Sequence, residues 1–209
     1  MDQINNNKFE NDSQVVNISY ILKKEFFRKT IHMTAAFVPF LYYFDQNLTI
    51  ILLLSINLLY FISEFLRSKN IYLPIISQVT EIASRPVDEN KVILGPITLS
   101  MGIFLSLVFF DYRIAIISVF ALAFGDGVAS LFGKIIGGWK IPLTFGKTFS
   151  GTGGCFIILV IVFLACGLDR YQAVFLALVA SIVEAFPTGD FDNLLIPILT
   201  GLFAKEILL

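Results

Sequence analysis

Seven apolar runs separated by polar breaks dominate the chain, at about 28–44, 48–66, 92–110, 114–133, 151–167, 171–187 and 193–209. A helix rises ~1.5 Å per residue, so runs of this length approach or match ~30 Å of hydrocarbon, and a helix pairs its own backbone inside lipid. The pattern predicts an all-α, polytopic membrane protein of about seven transmembrane helices, built as one membrane domain over 28–209. Ahead of it, residues 1–12 are polar and asparagine-rich and lack the apolar core of a secretory signal, which predicts a disordered tail. Val15, Ile18, Leu22 and Phe26 then recur at helical spacing beside Lys23, Lys24, Arg28 and Lys29. That suits an amphipathic helix on the lipid headgroups, so 1–27 reads as tail plus interfacial helix. The stretch 70–79 is too short to span and contains Pro74, and is expected to be re-entrant or interfacial.

Composition strengthens the membrane expectation. Hydrophobic residues make up 56% of the 209 positions, above the ~45–50% of ordinary soluble domains, and mean hydropathy is +0.81. A formal net charge of −1 argues against nucleic acid as a partner. Cys155 and Cys166 share one apolar run and, as helical positions ~16 Å apart, cannot bridge each other. Placing the N-terminus in the cytoplasm puts 12 Lys and Arg on the inner side, in 1–29, 67–91 and 134–150, and leaves Arg113, Arg170 and Lys205 outside. That asymmetry sets the orientation and an odd number of spans.

The orientation brings ionisable residues to one depth. His32 opens the first span, Glu64 closes the second, Asp126 lies in the inner half of the fourth, and Glu184 precedes the acidic turn from Pro187 to Asn193. Each is costly in lipid, at ~2.5–3.5 kcal/mol or more near mid-helix, and needs a partner or a wet site. Nine of the 14 glycines fall between Gly125 and Gly154. Gly125, Ala129 and Gly133 form a small-residue stripe for close helix packing. The remaining segment surrounds Lys134, Lys140, Lys147, Thr148, Ser150 and Thr152 with flexible backbone and ends on a helix N-terminus, the components of a phosphate site. Asp126 would add a hard oxygen ligand for Mg²⁺. Gly146-Lys147-Thr148 is not a P-loop, because Ile141 stands where that motif needs glycine and no strand precedes it.

Taken in order, these residues resemble the CTP-dependent polyprenol and lipid kinases (dolichol kinase, phytol kinase and CTP-dependent diacylglycerol kinase), relatives of the phosphatidate cytidylyltransferases. The resemblance runs from about Arg28 to Pro197. It comprises Arg28-Lys29-x-x-His32 with Pro39, Glu64-x-x-Arg67, Gly95-Pro96 and Gly125-Asp126-x-x-Ala129-Ser130-x-x-Gly133-Lys134. Lys147-Thr148-x-x-Gly151-Thr152, Glu184 and Asp192-Asn193-x-x-x-Pro197 complete it. Many members carry glutamate where this chain has Ser150, and the histidine-glycine-glycine run associated with cytidylyltransferases is absent. The resemblance implies a multi-pass enzyme, in the cytoplasmic membrane if the source is bacterial, that moves a phosphoryl group from CTP to the hydroxyl of a membrane lipid alcohol. It implies Mg²⁺ on Asp126 and Asp192, nucleotide contacts from Lys134, Lys147, Thr148, Gly151 and Asn193, and catalytic roles for Asp126, His32 and Glu184. The alternatives are cytidylyl transfer to phosphatidate and, in a different class, a membrane transport or binding protein.

Overall fold

Helix follows apolar run along the whole of the computed structural model, which describes residues 22–74, 76, 80, 92–144 and 146–208. The expected tail, Val15, Ile18 and much of 70–79 lie outside the described residues. The fold is all-α; extended backbone pairs at one antiparallel bridge among the described residues, Lys140 with Thr148. Helix α1 covers 22–34 and passes through a 3₁₀ turn, Ala35–Phe37, into α2, Val38–Phe44. There follow α3, Gln46–Arg67, α4, Gly95–Phe109, and α5, Tyr112–Phe120. A π-helical turn, Ala121–Asp126, joins α5 to α6, Gly127–Ile135; then come α7, Phe149–Ala165, α8, Arg170–Ala185, and α9, Asp192–Leu208.

Local chemistry explains the breaks. Pro39 and Pro96 sit in the first turn of α2 and α4, where a missing N–H costs nothing. Asp45 caps α3 by accepting from the Leu48 N–H at 2.9 Å. Asp169 and Gln172 form a capping box on α8, and Thr148 caps α7.

Among the described residues, two helices are long and apolar enough to cross a membrane, Gln46–Arg67 and the continuous 24 residues Tyr112–Ile135. They occupy different places. The most apolar window of Tyr112–Ile135 is 67% buried and runs through the centre of the bundle, whereas that of Gln46–Arg67 is 22% buried and lies at its edge. Ala115, Val119, Ala121, Leu122 and Ala123 of the central helix meet Leu159 and Phe163 of α7, Leu176, Ala177 and Ala180 of α8, and Ile196 and Ala204 of α9 in one core.

Glycines set how closely the helices approach. A Cβ on Gly133 would lie 2.9 Å from Thr148 Oγ1, one on Gly151 would lie 2.6 Å from the Ala129 carbonyl, and one on Gly125 would lie 3.3 Å from Cys155 Sγ. The Gly125/Ala129/Gly133 stripe therefore packs antiparallel against the start of α7. Gly102 admits the backbone of Asn193, and Gly201 admits Phe110 and Ser118, so α9 is seated against α4 and α5 by the same device. Pro197 interrupts α9 and cannot donate to the Asn193 carbonyl four residues back; the Gly102 backbone packs against that freed oxygen.

Helix α1 departs from the amphipathic pattern expected of it. Leu22 and Phe26 are exposed, while Glu25, Lys29 and His32 are buried. The polar face turns into the bundle because it has charged partners there, and the apolar face turns out.

Candidate functional site

The buried ionisable residues gather where α1, the π turn, α6 and the starts or ends of α7, α8 and α9 meet. The π turn ends on Asp126. One wider turn shifts the helical register, so Gly125 faces Cys155 and Leu159 of α7 while Asp126 faces α1. Lys29 Nζ donates to Asp126 Oδ2 at 2.5 Å. His32 Nδ1 lies 3.0 Å from the same oxygen, but off a hydrogen-bonding direction, so the ring nitrogen is buried beside the carboxylate without a formed bond. One turn further on, Glu25 accepts from Arg28 at 2.7 Å, from Lys134 at 2.6 Å and from Ser130. Burial by itself would raise the Glu25 carboxyl; Arg28, Lys29, Lys134 and Ser130 outweigh it and lower the pKa from 4.5 to about 2.

A second group adjoins the first. Lys147, leaving the loop before α7, donates to the Glu184 carboxylate at 2.8 Å and to the Glu184 backbone carbonyl, and lies 3.8 Å from Asp192 Oδ2. Thr152 Oγ1 donates to the other Glu184 oxygen at 3.4 Å. α7 links the two: the buried Cys155 thiol packs against Gly125, the neighbour of Asp126, and Thr152, one turn earlier on the same helix, reaches Glu184. A third pairing, Glu64 with Arg67, accepts the Ile93 N–H at 2.8 Å and fixes the approach to α4.

The expected site residues thus divide by what they touch. His32 and Asp126 meet each other, and Glu184 and Asp192 both meet Lys147. Lys134 is held by Glu25. Thr148 Oγ1 accepts from the Gly151 N–H at 3.1 Å, which engages that donor as a helix cap, and Gly151 itself is the point of closest approach to α6. The Asn193 amide nitrogen donates to Thr98 Oγ1 at 3.0 Å and to the Gly95 carbonyl at 3.3 Å, joining α9 to the first turn of α4, while its buried Oδ1 has no partner among the described residues. Ser150, standing where the lipid kinases resembled here carry glutamate, donates to the Gly137 carbonyl and pins the loop. Sequence reasoning missed Glu25 and gave Lys29 no place in the site. A signal was present: Glu25, Lys29 and His32 are spaced three and four apart, one helix face of titratable groups.

Among the described residues no group of three or more His, Cys, Asp and Glu is arranged to hold a metal ion. Asp126 already faces two nitrogen groups and Asp192 faces Lys147. A hard cation at this place would have to arrive with oxygens of its own, needing one or two carboxylates from the protein.

Fold and site together define an all-helical protein with, among the described residues, two helices long and apolar enough to cross a membrane, and a buried, charged cluster at one end of an apolar bundle. Among known proteins, the chain is similar to an uncharacterized protein of Methanocaldococcus jannaschii, 29% identical over 192 residues that cover 85% of this chain and 91% of the relative. No family profile and no solved structure matches.

Proposed function

We propose that this chain is a multi-pass membrane enzyme that transfers a phosphoryl group from CTP to the hydroxyl of a membrane lipid alcohol at the cytoplasmic face. The observation that carries the reading is Asp126, a buried carboxylate in the middle of a 24-residue apolar helix, held by Lys29 and adjoining a second buried group of Lys147, Glu184 and Asp192. Buried charge of this kind is expensive and has a function by default. Seven spans are part of the proposal. Beyond the two long helices, Gly95–Phe109 and Phe149–Ala165 are shorter apolar helices. Apolar side chains also face outward along α3, α7, α8 and α9, including Ile51, Phe61, Ile157, Phe175 and Phe203. Such a surface suits lipid and would be an aggregation hazard in water.

Phosphoryl transfer asks a protein mainly to position two reactants and to stabilise charge. Lys147 and Lys134 would exchange their present carboxylate partners for phosphate oxygens. Thr148 and Gly151 would keep the loop before α7 in place, and Asn193 would hold the start of α9 against α4. His32, with Asp126 beside its ring, would accept the proton of the lipid hydroxyl as it attacks, and Glu184 would orient that hydroxyl. Mg²⁺ accompanying the nucleotide would be held by Asp126 and Asp192 and would neutralise charge on the phosphates.

The test is incubation of the purified protein in lipid vesicles with CTP labelled at either end and a panel of lipid alcohols. The reading expects CDP and a lipid monophosphate carrying the terminal phosphate. Pyrophosphate and a cytidine-bearing lipid would instead establish cytidylyl transfer, and no labelled lipid with any acceptor or nucleotide would sink the enzymatic reading.

A further inference from the structure

Apart from Lys147 and Thr148 at its end, the loop between α6 and α7 has no place in the chemistry above, and it carries the most exposed apolar side chains of the described residues, Leu143 and Trp139. Its backbone is fastened to itself: the Ile141 N–H donates to the Lys147 carbonyl at 2.8 Å, Lys147 N–H to Thr144 at 3.0 Å, and Phe149 N–H to Trp139 at 3.1 Å. Lys140 and Thr148 bridge as in a hairpin. Thr144 turns inward and Lys147 reaches Glu184, while the apolar side chains of the loop project. Leu143 is 95% exposed and Trp139 86% exposed, and Ile135 and Ile136 at the end of α6 continue the apolar surface at 74% and 62%. Leu143 also has φ +65°, a left-handed conformation that a leucine rarely takes. Turn chemistry would favour glycine or asparagine there, so the leucine stands against the local preference of the backbone.

The charge of this stretch has one sign. From Gly127 to Leu168 the chain contains no acidic residue, and its charged residues are Lys134, Lys140 and Lys147. Glu25 and Glu184 engage Lys134 and Lys147 from other helices, and Lys140 is exposed beside Trp139. An exposed indole, exposed aliphatic side chains and a lysine paired with no acid among the described residues are the mixture that settles at a membrane–water boundary. The indole and the lysine stem occupy the headgroup level, the aliphatic groups reach the upper acyl chains, and the ammonium meets lipid phosphate. A soluble acidic partner would account for Lys140 but not for Leu143 and Ile135.

We propose that the 136–148 hairpin is an interfacial foot that dips into the cytoplasmic leaflet, with Trp139 and Leu143 among the headgroups and upper chains of anionic lipid and Lys140 on their phosphates. The proposal rests on the membrane reading above. It adds that the loop carrying Lys147 is seated at the depth where a lipid headgroup hydroxyl lies, so that the acceptor and the charged cluster meet at the surface.

Trp139 is the sole tryptophan of the chain, so the native protein carries its own probe. The full chain is placed in lipid nanodiscs containing phosphatidylglycerol, and Trp139 fluorescence is read with iodide in the water and with lipids brominated either near the glycerol end or near the methyl end of their chains. The expected result is blue-shifted emission, little quenching by iodide, and stronger quenching by the shallow than by the deep bromine. Leu143→Asp together with Lys140→Glu should restore hydrated emission and iodide quenching while circular dichroism keeps the helical signal. Hydrated emission in the native chain, or strongest quenching by the deep bromine, would overturn the interfacial foot while leaving the spans intact. Failure of the chain to enter nanodiscs at all would overturn both it and the membrane reading.

Discussion

Asp126 is enclosed by Lys29 and His32 from a single turn of α1, and that enclosure changes what a substitution there does. Asparagine keeps the shape but leaves the buried Lys29 ammonium without its counter-charge. Asp126→Asn should therefore lower stability by about 3–5 kcal/mol, as well as lowering CTP-dependent turnover by ~100-fold or more if the carboxylate serves the reaction. The two effects separate in the double variant Lys29→Met/Asp126→Asn, which removes both charges. Thermal unfolding in detergent should return most of the way to wild type, and activity should stay low. Recovery of activity together with stability would remove Asp126 from the chemistry and leave it a structural partner of Lys29. Glu25 carries a second expectation at this scale. Its folded pKa of about 2 lies below the ordinary 4.5, so its contribution to stability is fully present above the unfolded value and fades as pH falls from 4.5 towards 2. Glu25→Gln should make the unfolding midpoint less sensitive to acid across that window, and equal slopes for the two proteins would show that the carboxylate contributes nothing there.

At the scale of elements, the antiparallel pair α6 and α7 is held by absent side chains rather than by present ones. A Cβ on Gly151 would meet the Ala129 carbonyl at 2.6 Å and the Gly133 Cα at 3.3 Å, both backbone atoms that cannot swing aside. Gly153, two residues along α7, has open space where a Cβ would stand, with nothing within 4 Å. Gly151→Ala should push the helices apart and cost about 1–3 kcal/mol, whereas Gly153→Ala should be neutral or stabilise by up to ~1 kcal/mol through helix propensity. Unfolding midpoints of the two variants against wild type decide this, and matching values would mean the glycine contact does not set the helix spacing. The same pair carries Ser130 on one member and Thr152 on the other, with Asp126 just before α6 and Thr148 capping α7. A change in spacing should thus reach the charged cluster and lower turnover with Gly151→Ala alone.

At the scale of the molecule, an apolar bundle carries its buried charge at one end, with Tyr42 and Tyr43 packed on Tyr112 near the opposite ends of α2 and α5. The proposed topology puts the charged end in the cytoplasm. In a background lacking Cys155 and Cys166, a cysteine replacing Lys140 should be modified only after the cell is opened, and cysteines replacing Gln46 or Asp169 should be modified from outside. Modification of position 140 in intact cells would reverse the orientation and detach the site from cytoplasmic nucleotide.

Helix positions were legible because burial in lipid or in a helical core imposes long apolar runs, while the exact helix starts at Asp45, Pro96, Thr148 and Asp169 emerged with the fold. The Gly125/Ala129/Gly133 stripe was legible for a similar reason, since periodic small residues have few uses besides close packing. What α1 does was not. Its apolar positions suggested a helix on the membrane surface, and only the arrival of Asp126, Ser130 and Lys134 from a segment about 100 residues away makes burial of Lys29 and Glu25 favourable. The partner of a buried charge is chosen by tertiary contact. Sequence alone reveals that Asp126 needs a cation in an apolar setting, because desolvation demands one, while the register shift of the π turn and the approach of α1 decide that the cation is Lys29.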